Sequence, residues 1–568
     1  MKVIDAFMQQ LICDRQTIIF GNPGTTEEVF LDVLTNYSQI KYIKGLQESV
    51  VVGMADGYAR AVQKPGIVQL HGNPGLGNAM AILYQAHRSF TPLVVFAGEA
   101  YNKDFAFDGF LGGDTSKMAE PVTKWSYRIT SPGQFLRVWR RALKVAMTPP
   151  YGPVYLGIPM DIFEGETTEE ITPVTYVNTN VRPEEVDIQA IADAILQAKN
   201  PLMLIGDGVS MSGARDGVES LSAITGMPIY GVDYGDLNVG FDFPLFMGLI
   251  GHTSGHTTRK ITYDADVVLS IGTPLFPELF PSDQPYFNRD AKVFQIDLNT
   301  WELAKNFSVT KALAADPRQA VTALIKIIQE KITPAFSKWV TGRCEWWNQK
   351  KKENWQSQDK KYGSPQVNHA LPVALAMQTI VNSMPQDTIV YDESITSTDE
   401  LLHYLQPTTP GSYYLGRGGC IGVGWPGAIG CKVANPDQPV LAFSGDGSSL
   451  YIIQCLWTAA HYNLKMVFVL LNNRSYRILK VNLLNYWAEH NIEPRPFPEM
   501  DLTQPDVDYT KVAEGFGVKG FHADDLLSLK DALWDAWASD GPALIDVRIS
   551  GSVDEELREV VRSLCGCA

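Results

Sequence analysis

The sequence predicts an α/β protein made of three doubly wound domains, each with a parallel sheet between layers of helices. Short apolar runs alternate with amphipathic stretches along most of the chain, and many runs end in turns rich in glycine, proline or asparagine. Such runs are typical of parallel strands that helices cover on both faces. A chain of 568 residues is also too long for a single hydrophobic core. We therefore expect three domains joined by polar segments.

The first predicted domain comprises residues 1–165. Its pattern indicates a helix over Val3–Ile12 and a second helix from about Glu27. The strands expected between and after these helices are Thr17–Phe20, Ile67–His71, Leu93–Ala97 and Val154–Leu156. A linker rich in Thr, Glu and Pro follows, from Glu164 to Pro183.

The middle predicted domain comprises residues 184–330. Its expected strands are Pro201–Ile205, Pro228–Tyr230, Val267–Ile271 and Val293–Ile296. It lacks a GxGxxG turn after a strand, so nothing in it requires a dinucleotide, and FAD is not expected. A polar, lysine- and tryptophan-containing stretch over residues 331–364 is interpreted as a solvated helical connector.

The third predicted domain, residues 365–550, contains the most informative stretch of the chain. An apolar run, Pro439–Phe443, ends in Ser-Gly-Asp-Gly, and a second run, Met466–Leu471, ends in Asn-Asn after an intervening amphipathic segment. This order predicts a βαβ unit with two turns at the carboxyl ends of neighbouring parallel strands. Residues 551–568 are interpreted as an amphipathic tail.

Composition narrows the possible partners and location. The net charge of −16 argues against nucleic acid as a partner. The seven cysteines are odd in number and scattered, which fits reduced thiols better than a disulfide framework. No apolar run reaches the length of about eighteen residues that a transmembrane helix needs. We expect a cytoplasmic protein without membrane association.

Asp446 and Asn473 form a candidate metal site. Asp446 lies within the Gly-Asp-Gly turn and Asn473 follows the next strand, so both supply oxygen at the same edge of the sheet. Two such ligands, a backbone carbonyl and two phosphate oxygens complete the octahedral shell that Mg²⁺ prefers. Glycines also let a backbone approach phosphate closely. The pattern therefore predicts a magnesium-anchored phosphate group.

These motifs resemble those of the thiamine diphosphate (ThDP)-dependent decarboxylase and acetolactate synthase superfamily, and within it most closely the benzoylformate decarboxylases. The resemblance extends over nearly the whole chain. Besides the Gly-Asp-Gly and Asn-Asn pair, it rests on FGNPGT at 20–25, LQE at 46–48, ADGY at 55–58, LH at 70–71, GPVYL at 152–156 and GSYY at 411–414. It implies ThDP and Mg²⁺ as cofactors.

The resemblance also assigns roles around the cofactor. Glu48 matches the carboxylate that binds the pyrimidine ring, although a glutamate at such a position is otherwise usually an exposed charge at a helix start. Ile421 matches the apolar side chain that bends the cofactor, and the Gly419 carbonyl matches the acceptor of its amino group. Ser475 matches the residue whose carbonyl completes the metal shell. The implied diphosphate-binding residues are Gly445, Asp446, Gly447, Ser448 and Asn473.

For the substrate pocket, the resemblance implies His71 in proton transfer and Thr25 facing the substrate carboxylate, with Thr26 as the alternative inward-pointing residue. Two departures alter the expected pocket. Gly109 and Phe110 lie where two pocket leucines are expected, and Leu279 or a neighbour replaces a second pocket histidine of the benzoylformate enzymes. His252 and His256 lie in a glycine-containing segment expected to be a loop, and they are not assigned as metal ligands.

The implied reaction is decarboxylation of a 2-keto acid, aromatic or bulky, to an aldehyde through an enamine. The alternative is a carboligase in which the enamine adds to an acceptor aldehyde or ketone to give a 2-hydroxy ketone. Loss of the second histidine would favour this alternative by slowing protonation. In the family that the chain resembles, the first domain of one subunit and the third domain of another complete one site. The resemblance therefore also implies a homodimer at least, and favours a homotetramer.

Overall fold

The computed structural model describes residues 1–233, 235–363, 370–416 and 418–555. Three six-stranded sheets follow one another along the chain, and every strand pairing within them is parallel. Helices flank the sheets, so the predicted fold of three doubly wound α/β domains is confirmed. The apolar interior of the strands is almost completely buried, as in Leu93–Glu99 and Val467–Asn472.

The first sheet has the strand order β2-β1-β3-β4-β6-β5. Its elements in chain order are α1 (Val3–Cys13), β1 (Ile18–Gly21), α2 (Glu28–Leu34), β2 (Lys41–Lys44), α3 (Glu48–Val62), β3 (Gly66–His71), α4 (Gly72–Arg88), β4 (Leu93–Glu99), α5 (Thr115–Ala119), β5 (Trp125–Arg128), α6 (Phe135–Ala146), β6 (Val154–Pro159) and α7 (Met160–Glu164). A short 3-10 helix over Thr25–Glu27 joins β1 to α2.

The second sheet has the order β12-β11-β10-β7-β8-β9. Its elements are α8 (Glu185–Gln197), β7 (Pro201–Ile205), α9 (Gly208–Ser212), α10 (Arg215–Thr225), β8 (Ile229–Val232), β9 (Phe246–Ile250), α11 (Gly255–Thr262), β10 (Val267–Ile271), β11 (Lys292–Asp297), β12 (Lys311–Ala314) and α12 (Pro317–Lys331). The connector predicted over 331–364 is helical, as α13 (Pro334–Tyr362).

The third sheet has the order β14-β13-β15-β16-β18-β17. Its elements are α14 (Val373–Ser383), β13 (Ile389–Asp392), α15 (Thr398–Leu405), β14 (Tyr413–Leu415), α16 (Gly424–Ala434), β15 (Val440–Gly445), α17 (Asp446–Ser449), α18 (Cys455–His461), β16 (Val467–Asn472), α19 (Arg477–Glu489), α20 (Tyr509–Gly515), β17 (Lys519–Ala523), α21 (Leu526–Ala538) and β18 (Ala543–Arg548). Most of the predicted tail lies outside the described residues.

The first and third domains pack against each other through α3 and α16. The contact is close enough that a Cβ atom at Gly57 would lie 2.0 Å from the carbonyl oxygen of Gly427, and one at Gly430 would lie 2.0 Å from that of Met54. Only glycine fits such an approach of two helix backbones. The helix that begins at Glu48 is therefore held directly against the helix that follows the glycine-rich loop.

Two further expectations concern the surface and the thiols. Among the described residues, no helix has the length and apolar character to span a membrane. The five cysteines of the described residues, Cys13, Cys344, Cys420, Cys431 and Cys455, are free.

Candidate active site

Asp446 and Asn473 follow adjacent parallel strands at one edge of the third sheet. The register pairs Gly445 of β15 with Leu471 of β16, which places the two turns side by side. The Asp446 carboxylate is buried, with 2% of the residue exposed, and accepts from the backbone N–H of Gly447 at 2.9 Å and of Ser475 at 3.2 Å. The structure thus brings together Asp446, Ser475 and the Asn473 segment, as the motif predicts.

The side chain of Asn473 leaves an oxygen without a protein partner. Its Oδ1 atom is buried and accepts no hydrogen bond from the described residues. Burial also raises the pKa of Asp446 to about 6, because a carboxylate loses hydration there. A buried unpaired oxygen is costly unless another group binds it. These two oxygens fit a hard cation such as Mg²⁺, which takes carboxylate and amide oxygens as ligands.

The Gly-Asp-Gly turn leaves room beside it for a ligand. A Cβ atom at Gly445 would have no neighbour nearer than Ser448 Oγ at 3.9 Å, whereas one at Gly447 would lie 2.5 Å from the Tyr476 ring. Ser448 is buried inside α17 and does not cap it, since the N-cap is Gly445 and makes no side-chain bond. The predicted role of Ser448 at the diphosphate stays a prediction.

The glycine-rich loop before α16 lies at the switch point of the third sheet. After β13 the chain runs to β14 on one side, and after β15 it runs to β16 on the other side. This reversal of strand order opens a crevice between β13 and β15. Gly418, Gly419 and Gly422 all have positive φ, near +90°, which favours glycine. A Cβ atom at Gly419 would meet nothing within 4 Å, so this part of the loop faces open space.

Glu393, which the sequence analysis missed, holds this loop in place. It follows β13 and is buried, and its carboxylate accepts from the backbone N–H of Gly424 at 2.9 Å and of Val423 at 3.3 Å, and also from that of Gly422. The Ser444 hydroxyl on β15 donates to the same carboxylate at 3.2 Å. Burial raises the pKa of Glu393 to about 7. The only signal in the sequence is an acidic residue at the end of an apolar run.

Glu48 is the first residue of α3 and is buried, with 6% of the residue exposed. The Gln47 side chain caps the helix by accepting from the N–H groups of Ser49 and Val50. The two Glu48 oxygens accept from Asn22 Nδ2 and Asn78 Nδ2, each at 3.0 Å. The alternative of an exposed helix-start charge is wrong, because these amides enclose the carboxylate between β1 and α4.

His71 lies at the carboxyl end of β3 with 18% of its side chain exposed. Its Nδ1 atom is 3.1 Å from Glu27 Oε2 and 3.1 Å from Thr26 Oγ1. The hydrogen bond to Glu27 raises the pKa of His71, and burial opposes this effect. Gly24 allows the ring to lie against the backbone, since a Cβ atom there would lie 2.1 Å from Nδ1. This pairing occupies Nδ1, so Nε2 is the ring nitrogen left to exchange a proton with a ligand.

Glu27 is a second residue that the sequence analysis missed in this role. It is completely buried, and its other oxygen accepts from the Gly98 N–H at 2.8 Å. Thr26 is buried and lies within 3.1 Å of the Gly98 carbonyl oxygen, whereas Thr25 is exposed. Thr26 therefore points into the protein and supports the histidine. Thr25 is the hydroxyl that remains accessible to a ligand, and its substrate role stays a prediction.

The two residues predicted to shape the substrate pocket are exposed. Phe110 lies fully exposed in the segment between β4 and α5, and Leu279 is 60% exposed in the segment between β10 and β11. Ile421, the predicted wedge, is half-buried beside the glycine-rich loop. The roles of all three stay predictions.

Within one chain, the predicted residues form two separate clusters. Asp446, Asn473 and Ser475 lie at the third sheet. Glu48 and His71 lie at the first sheet, and each takes its side-chain hydrogen bonds from residues of the first domain. This division agrees with a site that needs both a first and a third domain.

Comparison with known proteins agrees with this architecture. Three domain profiles match in order: the N-terminal TPP binding domain of thiamine pyrophosphate enzymes over residues 1–118, their central domain over 188–324, and their C-terminal TPP binding domain over 396–547. The chain belongs to the thiamine pyrophosphate (ThDP) enzyme family, and it is therefore an enzyme of that family.

Similar proteins include decarboxylases and acetolactate synthases. Benzoylformate decarboxylase of Pseudomonas aeruginosa is 28% identical over 540 residues, which cover 94% of this chain and 96% of the relative. A probable acetolactate synthase large subunit of Methanococcus aeolicus is 27% identical over 583 residues, covering 97% and 92%. The solved structure of the thiamine diphosphate-dependent 4-hydroxybenzoylformate decarboxylase of Rhodococcus jostii superposes with a TM-score of 0.84 at 25% identity, covering 97% and 99%.

Proposed function

We propose that this protein is a ThDP- and Mg²⁺-dependent enzyme that decarboxylates an aromatic or bulky 2-keto acid to an aldehyde. The observation that carries the metal and cofactor part is the buried, unpaired Oδ1 of Asn473 beside the strand end that carries Asp446. The substrate class follows from the benzoylformate and 4-hydroxybenzoylformate decarboxylases among its relatives. When bound, ThDP supplies a carbon nucleophile that also accepts the electron pair released with CO₂.

At the diphosphate end, Asp446, Asn473 and the Ser475 carbonyl would hold Mg²⁺, which neutralises the phosphate charge. Gly445, Gly447 and Ser448 form the turn against which the diphosphate would lie. Glu393 fixes the glycine-rich loop through three backbone N–H groups, so the Gly419 carbonyl and the Ile421 side chain are presented in one conformation.

Glu48 is the proposed carboxylate for the cofactor pyrimidine. Its oxygens already accept from Asn22 and Asn78, so its orientation is fixed before a ligand binds. There the Glu48 carboxylate would bind a protonated ring nitrogen and so would favour the imino tautomer of the pyrimidine.

His71 is the proposed group that moves a proton at the substrate, through Nε2. Glu27 binds Nδ1 and so fixes both the ring orientation and the tautomer. The ion pair keeps His71 protonated to a higher pH than an isolated imidazole, so it can donate a proton near neutral pH. Thr25, exposed one residue before Thr26, is the proposed contact of the substrate carboxylate.

We also infer a homodimer in which Glu48 of one subunit serves the diphosphate site of another. Apolar side chains are exposed around Glu48: Leu46 precedes it, and Met118 packs beside Gly77, next to the Asn78 that binds it. Tyr84 on α4 is a further exposed apolar side chain, and subunit interfaces commonly cover residues of this kind. A homotetramer formed from two such dimers is the larger assembly that we propose.

The function is tested by measuring CO₂ release from benzoylformate, 4-hydroxybenzoylformate, phenylpyruvate and pyruvate, with the apoprotein reconstituted with ThDP and Mg²⁺. We expect turnover of at least one bulky 2-keto acid that requires both additions. Asp446→Asn should abolish the activity at ordinary cofactor concentrations. Release of CO₂ that is independent of ThDP, or no release from any member of a broad panel, would contradict the proposal.

A second candidate is carboligation, in which the carbon that has lost CO₂ attacks an acceptor aldehyde. The observation that favours it is that Leu279, whose side chain has no acidic proton to donate, lies at the position where a pocket histidine is expected. Product analysis with and without added benzaldehyde separates the two. A 2-hydroxy ketone as the main product would establish the carboligase, and free aldehyde alone would exclude it.

A further inference from the structure

His252 and Asp233 form an ion pair at the carboxyl edge of the middle sheet. Asp233 follows β8 and His252 follows β9, and these neighbouring strands pair Val232 with Ile250. The Asp233 N–H donates to the Ile250 carbonyl at 3.1 Å, which aligns the two strand ends. The His252 Nδ1 atom lies 2.5 Å from Asp233 Oδ1, and half of the histidine side chain is exposed.

This edge of the middle domain is attached to the start of the glycine-rich loop. Two residues after Asp233, the Gly235 carbonyl accepts from the Leu415 N–H at 2.7 Å, and Asp236 forms an antiparallel bridge with Tyr414. Leu415 ends β14 and leads directly into the loop that begins at Gly416. The Asp233 turn is therefore anchored to the strand that carries the loop.

The same histidine lies beside Leu279. The Leu279 N–H donates to the His252 carbonyl at 3.1 Å, and the Phe280 N–H donates to the Thr253 carbonyl at 2.9 Å. The two segments thus run together at the sheet edge. A histidine is therefore the backbone neighbour of Leu279, which lies where a pocket histidine is expected.

We propose that His252, oriented by Asp233, is the middle-domain proton donor of the active site and takes over the role that Leu279 cannot perform. This inference rests on the proposed decarboxylase function. In the step concerned, the N–H bond at His252 Nε2 breaks and a C–H bond forms at the carbon that has lost CO₂. The ring nitrogen keeps the electron pair of the broken bond, so the imidazolium becomes neutral imidazole and is reprotonated from water.

The electrostatic surroundings support a donor. Asp233 raises the pKa of His252, mainly through the hydrogen bond, and burial opposes it. Glu278, the acidic residue of the neighbouring segment, is bound by the Thr258 and Tyr286 hydroxyls. On α11, His256, Arg259 and Lys260 carry the other titratable and charged groups. Asp233 is thus the carboxylate that pairs directly with the ring.

His252→Gln tests the proposal, with His256→Gln as the matched control because His256 is an exposed histidine four residues along the chain. CO₂ release and aldehyde release are measured separately in a single turnover on the reconstituted enzyme. For His252→Gln we expect CO₂ release to be preserved and aldehyde release to slow by about 10²–10⁴-fold, the usual contribution of a positioned acid. With added benzaldehyde, more 2-hydroxy ketone should form.

Asp233→Asn tests the positioning role. It should move the alkaline limb of the pH profile of aldehyde release to lower pH without removing activity, because the ring loses the charge that favours its protonated form. The proposal would be overturned if His252→Gln and Asp233→Asn both released aldehyde at the rate of His256→Gln and with the same pH profile. A wild-type protein that releases no CO₂ would instead overturn the proposed function itself, and the inference with it.

Discussion

The closest approach between the first and third domains provides a sharp test of the architecture. Gly57→Ala places a methyl group 2.0 Å from the Gly427 carbonyl oxygen, so α3 and α16 must separate by about 1.5 Å to reach an ordinary van der Waals contact of about 3.5 Å. Overpacking of this kind costs about 1–3 kcal/mol. Replacing a helical glycine by alanine alone would stabilise a helix by about 0.5–1 kcal/mol. We expect a net loss of about 1–2 kcal/mol.

Gly342→Ala is the control for this substitution. Gly342 lies within α13, is exposed, and a Cβ atom there would meet nothing within 4 Å. It should therefore stabilise the protein by about 0.5–1 kcal/mol through helix propensity alone. Urea unfolding followed by circular dichroism measures both variants against the wild type. Gly57→Ala should also lower ThDP affinity, because the helix after the glycine-rich loop is displaced.

The sign of the effect decides the outcome. If Gly57→Ala unfolds at a urea concentration equal to or above that of the wild type, the two helices do not approach as closely as described. Gly430→Ala places a methyl group 2.0 Å from the Met54 carbonyl oxygen and is an independent test of the same contact. It should destabilise the protein as Gly57→Ala does.

Three further predictions concern the site. Glu27→Gln removes the main cause of the raised pKa of His71, so the limb of the kcat/KM profile that reports this histidine should move to lower pH; a profile that does not move would contradict the pairing. Because folding raises the pKa of His71, the ion pair stabilises the protein fully at a pH below the unfolded pKa of His71. This stabilisation is lost as the pH rises through the folded pKa. The difference in unfolding free energy between wild type and Glu27→Gln should therefore shrink in that pH range. Asn473→Leu should raise the melting temperature of the apoprotein, because it removes a buried unpaired oxygen that destabilises the fold by about 1–3 kcal/mol. The same substitution should abolish the further rise in melting temperature on adding ThDP and Mg²⁺. Chelation of Mg²⁺ by EDTA should remove that rise in the wild type, and a ThDP-induced rise that survives EDTA would contradict the metal site.

The sequence predicted the inner strands except β13 and β18, because parallel strands buried on both faces are nearly continuous apolar runs. Pro201–Ile205 and Val267–Ile271 were predicted with the bounds that the structure gives them. None of the six edge strands, β2, β5, β9, β12, β14 and β17, was predicted. Except for the short, mostly buried β14, their burial is partial, as in Trp125–Arg128 and Lys311–Ala314, and a half-exposed edge strand has no continuous apolar run.

The motif residues of the site could be predicted because each lies within a short local pattern. Glu27 and Glu393 could not, because their partners are distant in sequence and become neighbours only when the sheet forms. Glu27 reaches His71 from the turn after β1 to the end of β3, and Glu393 reaches the loop before α16 from the end of β13. Neither carboxylate differs locally from an ordinary acidic residue at a helix start or strand end.

The central claim is that Glu48 activates a cofactor held at Asp446 and Asn473. Its most direct test is the rate at which the C2 proton of bound ThDP exchanges with deuterium, followed by NMR after rapid acid quench, in wild type and Glu48→Gln. We predict that Glu48→Gln still binds ThDP with Mg²⁺ and slows the exchange by about 10²–10⁴-fold. Exchange at the wild-type rate in a variant that has bound its cofactor would contradict the account.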